Sequence, residues 1–483
     1  MFDVVVIGGG LAGLACGVAL ADSGVRVAVI ERDGRLGGRA GSWAHSGTGD
    51  MVDVGPHVVH TEYRDMLALL ERLGTRDLIT WHMDKVLTIA SKPRPVVLRH
   101  WPLPPPFSLF PSLLGAPGLT IRDCLSMRAT TWKTMQFGEE QVPALDRMSA
   151  LDFLRAQGVS QPMIDWWWKF AAMVVTNVPL EHCSAAALMR IHAQLSGHRR
   201  LHFGFAAVGL AELFAQQASQ AIEAAGGRVL TGREVRAFIG SDRVEGVVLD
   251  EGTRLQAAHC VSAVPPQELA PLVPDAWKSR QPFDALAAFE PSPYVSCYLW
   301  FDRQVLNERF FAHLWSPTRL NYDFYDLSRI RRGWADRPSV IASNIIYSHR
   351  AHGMSDEDIV QATVRELAEF APEAANAQVL HADVHHIPMA IPCPTPGTER
   401  KRPHTRTPIP GLVLAGDWVQ THLPCSMESA VRSGWLAAEQ VLAERGSPRQ
   451  IALPQRPYDG LAGLVRRATC WYRGRTAAGK TDP

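Results

Sequence analysis

Three glycines placed where a β-branched run gives way to a helix constrain this chain more than any other feature. Val4 to Ile7 is followed by Gly8-x-Gly10-x-x-Gly13 and a helical segment through Ala21. The turn Asp22-Ser23-Gly24 then leads to a second strand, Val25 to Ile30, which ends in Glu31. In such a βαβ unit the first glycine makes the tight turn, the second admits a pyrophosphate to the backbone, and the third lets the helix pack on the strand. The helix N-terminus favours the pyrophosphate charge. Glu31, 18 residues past Gly13, stands where a carboxylate holds an adenosine ribose. Gly8, Gly10, Leu11, Ala12, Gly13 and Glu31 are therefore expected to bind a dinucleotide, NAD or FAD. A look-alike, Gly460-x-x-Gly463, has no strand before it and is discounted.

At 483 residues the chain is long enough for two domains. Helical spacing resumes at Met66, Leu69, Leu70 and Leu73, and stops at Gly74. Between about 80 and 205 the composition shifts to Pro, Trp and Met with irregular periodicity, and an α/β pattern returns from Leu210 to Val264. A second excursion follows before Leu412-Val413-Leu414-Ala415-Gly416-Asp417 and a helix around Ser426 to Leu442. The expected fold is α/β: a Rossmann-type domain in three passages (1–80, 206–275 and 391–445), an inserted α+β substrate domain (81–205 and 276–390), and a basic C-terminal tail (446–483).

The run Arg32-Asp33-Gly34-Arg35-Leu36-Gly37-Gly38-Arg39 after Glu31 puts glycines and a cation beside the same pyrophosphate. It is similar to the E-R-x-x-x-x-G-G-R signature of the amine oxidase and carotenoid desaturase superfamily of flavoproteins. Leu414-Ala415-Gly416-Asp417-Trp418 resembles that superfamily's second FAD motif. Ser426-Met427-Glu428 opens a helix whose N-terminus can stabilise negative charge on a reduced flavin. Asp53-Val54-Gly55-Pro56-His57-Val58, with Tyr63 downstream, resembles the Gly-x-His segment of plant-type phytoene and ζ-carotene desaturases and of hydroxysqualene dehydroxylases.

The resemblance implies an amine oxidase-like fold and a non-covalent FAD. It adds Arg32, Gly38, Arg39, Gly55, His57, Val58, Tyr63, Val235, Gly416, Asp417 and Met427 to the cofactor contacts. The implied activity is FAD-dependent desaturation of a hydrophobic polyisoprenoid of the carotenoid type. Glu212-Leu213-Phe214, Asp417-Trp418 and Leu423-Pro424 look more like the dehydroxylases, so reductive removal of a hydroxyl stays open. An amine oxidase-like enzyme and a non-catalytic flavin-binding subunit are further alternatives. With no second dinucleotide fingerprint, a quinone is the electron acceptor the resemblance suggests. His57 is the candidate nearest the flavin, or else a core histidine.

A hydrocarbon offers almost no hydrogen-bonding handle, so its site is expected to be an apolar tunnel. Trp166-Trp167-Trp168, Phe170, Met173, Tyr294 and Tyr298 supply material for one, or for ordinary core; Trp167, Phe170 and Tyr298 are the substrate candidates. No Ser/His/Asp triad or metal-ligand cluster is legible, and His385-His386 lacks carboxylates at ligand spacing.

Charge narrows the partners: 49 Lys and Arg against 48 Asp and Glu offer no broad field for nucleic acid. Eight scattered cysteines suit a reducing compartment, and Met1-Phe2-Asp3 opens no basic signal-peptide region, so a cytoplasmic location is expected. Trp101 to Ile121 carries no charge, yet its six prolines forbid a spanning helix. That segment and the tail, with Leu461, Leu464, Trp471 and Tyr472 among Arg466, Arg467, Arg473 and Arg475, predict docking on one leaflet.

Overall fold

The computed structural model describes residues 2–199 and 201–478. The side chain of Arg475 lies outside the described residues, as do residues 479–483.

A five-stranded parallel sheet carries the glycine triplet. Its spatial order is Arg228–Leu230, Val27–Ile30, Val4–Ile7, His259–Ser262 and Leu412–Leu414, the 3-2-1-4-5 order of a Rossmann sheet. Both faces are covered, which is why the strands Val4–Ile7, Val27–Ile30 and Leu412–Leu414 are apolar at every position rather than alternating. Val4, Val6, Val27 and Val29 face a layer containing the helices Leu11–Ala21, Ala215–Ala224 and Met427–Glu444. Val5, Ile7, Ala28 and Ile30 face the other way, onto a core with Val235, Phe238, Val247, Trp277 and Trp418. Three distant stretches of chain thus meet in one sheet whose strand ends point at one cavity.

The second body is a seven-stranded mixed sheet in the order Val379–Pro392, Pro291–Phe301, Val340–Ile345, Asp323–Asp326, Phe310–His313, Leu87–Ala90 and Val96–Leu98. One face packs on the helix Asp356–Ala368 through Ile359 and Leu367. Tyr298, Phe310, Tyr325 and Ala342 belong to the opposite core, shared with the helical stretch from Phe110 to Gly197. Trp166, Trp167 and Trp168 lie in one π-helical turn, Ile164–Trp168, between the short helix Gln161–Met163 and the helix Lys169–Thr176.

The stretch expected as a basic tail is docked instead. Ile451 and Ala452 donate their amides to Glu439 at 2.6 and 2.7 Å, and Leu453 donates to Asp65 at 2.8 Å. A helix, Gly460–Ala478, then lies against Arg128–Gln136, and Arg466 donates to the Phe137 carbonyl. The positive charge was visible in the sequence, but Tyr458 packs on Gly197 and His198 and Ala462 bonds to Pro105, all about 260 residues away in the chain or more, out of reach of any local pattern. No described helix is long and apolar enough to cross a membrane.

Candidate functional site

The turn after Val4–Ile7 forms the floor of a large cavity. Glu31 holds it: the carboxylate accepts the Gly9 amide at 2.7 Å and the Asp33 amide at 2.9 Å. A β-carbon on Gly13 would collide with the Gly8 carbonyl, so only glycine lets the helix approach the strand so closely. Gly10 caps the helix Leu11–Ala21 without a side chain, leaving its first-turn amides free to meet an anion. Gly8, Gly10, Leu11, Ala12, Glu31, Arg32, Gly38, Arg39 and Val235 all line this end of the cavity. Gly13 does not; its part is the packing contact. The Arg32 guanidinium is turned to the surface, where Glu268 takes it at 2.5 and 3.1 Å.

Arg39 and Asp417 face each other across the wall and form a two-point pair, at 2.7 and 3.2 Å. Arg39 also donates to the Ala390 carbonyl at 2.8 Å, tying the Rossmann sheet to the seven-stranded one. Burial opposes its charge, but Asp417 outweighs that and holds its pKa above the ordinary value. Gly416 donates its amide to Ser433 at 2.8 Å, and the Ser426 hydroxyl caps the helix Met427–Glu444 by accepting from Ser429. Gly55, His57, Val58, Tyr63, Gly416, Asp417 and Met427 line the same stretch of wall. A β-carbon on Gly55 would come within 2.5 Å of the Ser296 hydroxyl. His57 Nδ1 lies 2.7 Å from the Gly55 carbonyl, and burial lowers the ring's pKa, so it is neutral at pH 7 with Nδ1 as the donor. Burial pushes the Tyr63 phenol upward, and the Cys425 thiol up to about 12.

Beyond this polar end the cavity, about 930 Å³ in all, runs between the seven-stranded sheet and the helices. Trp167, Phe170, Val174, Leu195, Phe203 and Phe310 line it there, with Tyr294, Tyr322, Asp323, Tyr325 and Asn344 from the sheet. The post-445 segment closes it with Leu453 to Arg456, Tyr458 and Arg466. Neither this closing segment nor the Asp323 cluster is legible in the sequence, because no motif marks them.

Four of the residues offered for the tunnel belong to the core instead. Tyr298 is fully buried and does not reach the cavity: its hydroxyl donates to the Asp53 carbonyl at 3.0 Å, and the Asp53 strand covers the ring. Trp166, Trp168 and Met173 point away from the cavity, since successive residues of a helical turn diverge by roughly 100° and few can share one wall. Trp168 packs on His192, with ring centroids 4.5 Å apart. The histidine pair also has carboxylate partners after all, His385 with Asp383 at 2.9 Å and His386 with Asp356 at 2.8 Å, because neighbouring strand residues point to opposite faces. Among the described residues no cluster has a metal-binding arrangement.

The residues present fit FAD. The helix Leu11–Ala21 opens on the cavity without a side-chain cap, and a buried carboxylate, Glu31, lines the same end. A glycine-lined wall leads to Arg39, Asp417 and the Ser426 cap, donors and acceptors that suit a pyrophosphate and a ribose. A fold and a cradle of this kind define a dinucleotide-dependent oxidoreductase. Residues 11–442 match the family model described as flavin containing amine oxidoreductase, and the chain belongs to that family. It is 27% identical over 476 residues to 15-cis-phytoene desaturase of Synechococcus elongatus, covering 94% of this chain and 99% of that one. It is 28% identical over 457 residues to the chloroplastic/chromoplastic 15-cis-phytoene desaturase of an Oncidium hybrid cultivar, covering 92% and 78%. Among solved structures it resembles a double mutant of putrescine oxidase, with a TM-score of 0.72 at 18% identity, covering 92% of this chain and 99% of that one. The protein is an FAD-dependent oxidoreductase of the amine oxidase fold.

Proposed function

We propose that this enzyme desaturates a carotenoid-type polyisoprenoid. The observation that carries the reading is a single cavity with a dinucleotide cradle at one end and an aromatic and aliphatic arm at the other. Near-full-length similarity to phytoene desaturases supports it. When bound, FAD supplies a two-electron acceptor for hydride from an allylic carbon. The chain's own part is to hold and orient. Trp167, Phe170, Val174 and Leu195 exclude water and take up the hydrocarbon, and aromatic faces stabilise cationic character by roughly 0.5–2 kcal/mol. His57 is neutral, and Arg39 and Asp417 offset each other's charge at the cradle end.

A quinone dissolved in the same membrane is our proposed electron acceptor, and the docking face is our proposed entry. Trp101, Leu103, Phe107 and Leu114 are exposed, as are Leu461, Leu464, Trp471 and Tyr472. The two groups adjoin: Ala462 donates its amide to the Pro105 carbonyl at 3.3 Å. Leu109, Phe137, Tyr458 and Arg466 join this face to the cavity wall. The enzyme then works in the cytoplasm on one leaflet.

Incubation of the holoenzyme with phytoene, ζ-carotene and hydroxysqualene in liposomes with a quinone, followed by chromatography, tests the reading. New conjugated double bonds in either carotene support it. Conversion of hydroxysqualene to squalene alone would replace it with dehydroxylation, the reaction that Leu423-Pro424 in the cavity wall resembles more closely.

A further inference from the structure

Desaturation removes a hydride from one carbon and a proton from the next, and the wall described so far has no assigned place for the proton. The buried carboxylates that line the cavity are Glu31, Asp323, Asp417 and Glu428. Glu31 is spent on the Gly9 and Asp33 amides, and Glu428 on the amides of Asp65 and Met66 at the start of a helix. Asp417 is clamped by Arg39. Asp323 stands apart from these, on the seven-stranded sheet beside the aromatic arm, with neutral partners: the Asn344 amide at 3.1 Å and the Tyr325 hydroxyl at 2.9 Å. Unlike Asp417 it has no cationic partner among the described residues, and unlike Glu31 and Glu428 it does not have both oxygens committed to backbone amides. Tyr294 lines the same patch, and its buried hydroxyl has no partner among the described residues. Tyr322 packs against Phe170, with ring centroids 5.6 Å apart. Asn344 also donates its side-chain amide to the Pro56 carbonyl at 3.2 Å, which joins Asp323 to the Gly55–His57 turn through one residue.

We propose that Asp323 is the catalytic proton acceptor of the desaturation, an inference that rests on the function proposed above. Hydride leaves one allylic carbon with two electrons, and the bound FAD is the oxidant. The C–H bond of the adjacent carbon breaks, its electron pair becomes the new C=C bond, and the proton passes to the Asp323 carboxylate. The acid is suited to this: burial pushes its pKa up to about 7, so both forms are populated near neutrality. The titratable groups facing it are phenols: Tyr294 from the strand Pro291–Phe301, and Tyr322 and Tyr325 from its own segment. Ser343 and Asn344 on one neighbouring strand and Ala312 on the other carry no charge. On the cavity wall, His57 is neutral and is held on the turn that Asn344 fastens.

The test pairs a binding measurement with a kinetic one on the holoenzyme. Dimethylgeranylgeranylamine, a cation throughout pH 5.5–8, imitates the charged allylic carbon. Its affinity, relative to the isosteric hydrocarbon, is read from tryptophan quenching. In wild type that preference is expected to rise about tenfold between pH 5.5 and 8, with a midpoint near 7. In Asp323→Asn it is expected to be flat. Anaerobic flavin reduction by phytoene in liposomes is expected to fall at least a hundredfold in Asp323→Asn, at unchanged FAD content, and to recover in part in Asp323→Glu. The same pH trend in Asp323→Asn, or flavin reduction within threefold of wild type, overturns the proposal. If Asp323→Asn does not fold, the wild-type titration decides: a midpoint near 7 supports Asp323, and a flat preference overturns it. Failure of wild-type flavin to be reduced by any of the polyisoprenoids, with the amine titration intact, would instead reject the proposed function.

Discussion

Glu31 does two things at once. Its carboxylate fastens the turn at Gly9 and Asp33 and lines the cavity, where it is expected also to hold the adenosine ribose. A charge-assisted hydrogen bond contributes about 1.5–3 kcal/mol, so Glu31→Ala is expected to weaken FAD binding by about one to two orders of magnitude. Fluorescence titration of the apoprotein with FAD measures this, and unchanged affinity would remove Glu31 from the site. Tyr298 and Trp167 provide a contrast within one aromatic set. Tyr298→Phe strands the Asp53 carbonyl and is expected to lower stability by about 1–3 kcal/mol while leaving substrate turnover near wild type. Trp167→Ala is expected to cost turnover of the long substrate, seen as a raised KM. Denaturation and steady-state kinetics on both variants check the assignment, and a turnover loss confined to Tyr298→Phe would reverse it.

Among the elements, the helix Gly460–Ala478 and the Pro-rich segment it touches form the exposed apolar face. Serine at Trp101, Phe107 and Leu464 is expected to abolish flotation with anionic liposomes while FAD content stays at wild-type level, because these side chains are exposed and support no core. High salt alone is expected to release the protein only partly, since apolar contact does not screen. Full release by salt would assign the binding to the arginines. The π-helical turn at Ile164–Trp168 is an example of an element deciding which residue functions: it directs Trp167, and not its two neighbours, into the cavity.

For the whole molecule, buried acids and bases set how stability depends on pH. Burial raises Asp323 to about 7, Asp326 to about 6 and Glu428 to about 8, so the native state keeps protons that the unfolded chain releases near pH 4. Burial lowers His60 to about 3 and His192 and His313 to about 4, so the native state binds fewer protons there between pH 4 and 6.5. The two effects oppose each other below 6.5. Above it only the acids act, and stability falls as pH rises to 8, at up to about 1.4 kcal/mol per pH unit for each retained proton. The buried thiols of Cys16, Cys183, Cys260 and Cys297, at about 12, extend the fall beyond pH 8. Thermal melts are expected to show a lower Tm at pH 8 than at 6.5, and a smaller drop in Glu428→Gln. A Tm that rises over that range would contradict the burial of these acids.

The sequence by itself determined the βαβ unit, the glycines at Gly8, Gly10 and Gly13, the acid at Glu31 and the flavin class. The unit, its glycines and its acid are spacings within some forty residues, where turn sterics and helix amides act locally, and the flavin class followed from the resemblance of Glu31 to Arg39 to a flavoprotein signature. Gly416 and Asp417 were marked by the resemblance of Leu414 to Trp418 to a second FAD motif, since a strand followed by Gly-Asp is by itself an ordinary turn. Only the tertiary structure decided that Tyr298 serves Asp53, that Trp167 alone of its triplet reaches the cavity, and that residues between Leu453 and Arg466 line the wall instead of trailing as a tail. It also brought Asp323, Tyr294 and Asn344 together beside the Gly55 turn. Strand order and register place these residues side by side across hundreds of chain positions, and neither is encoded in the spacing of any one segment.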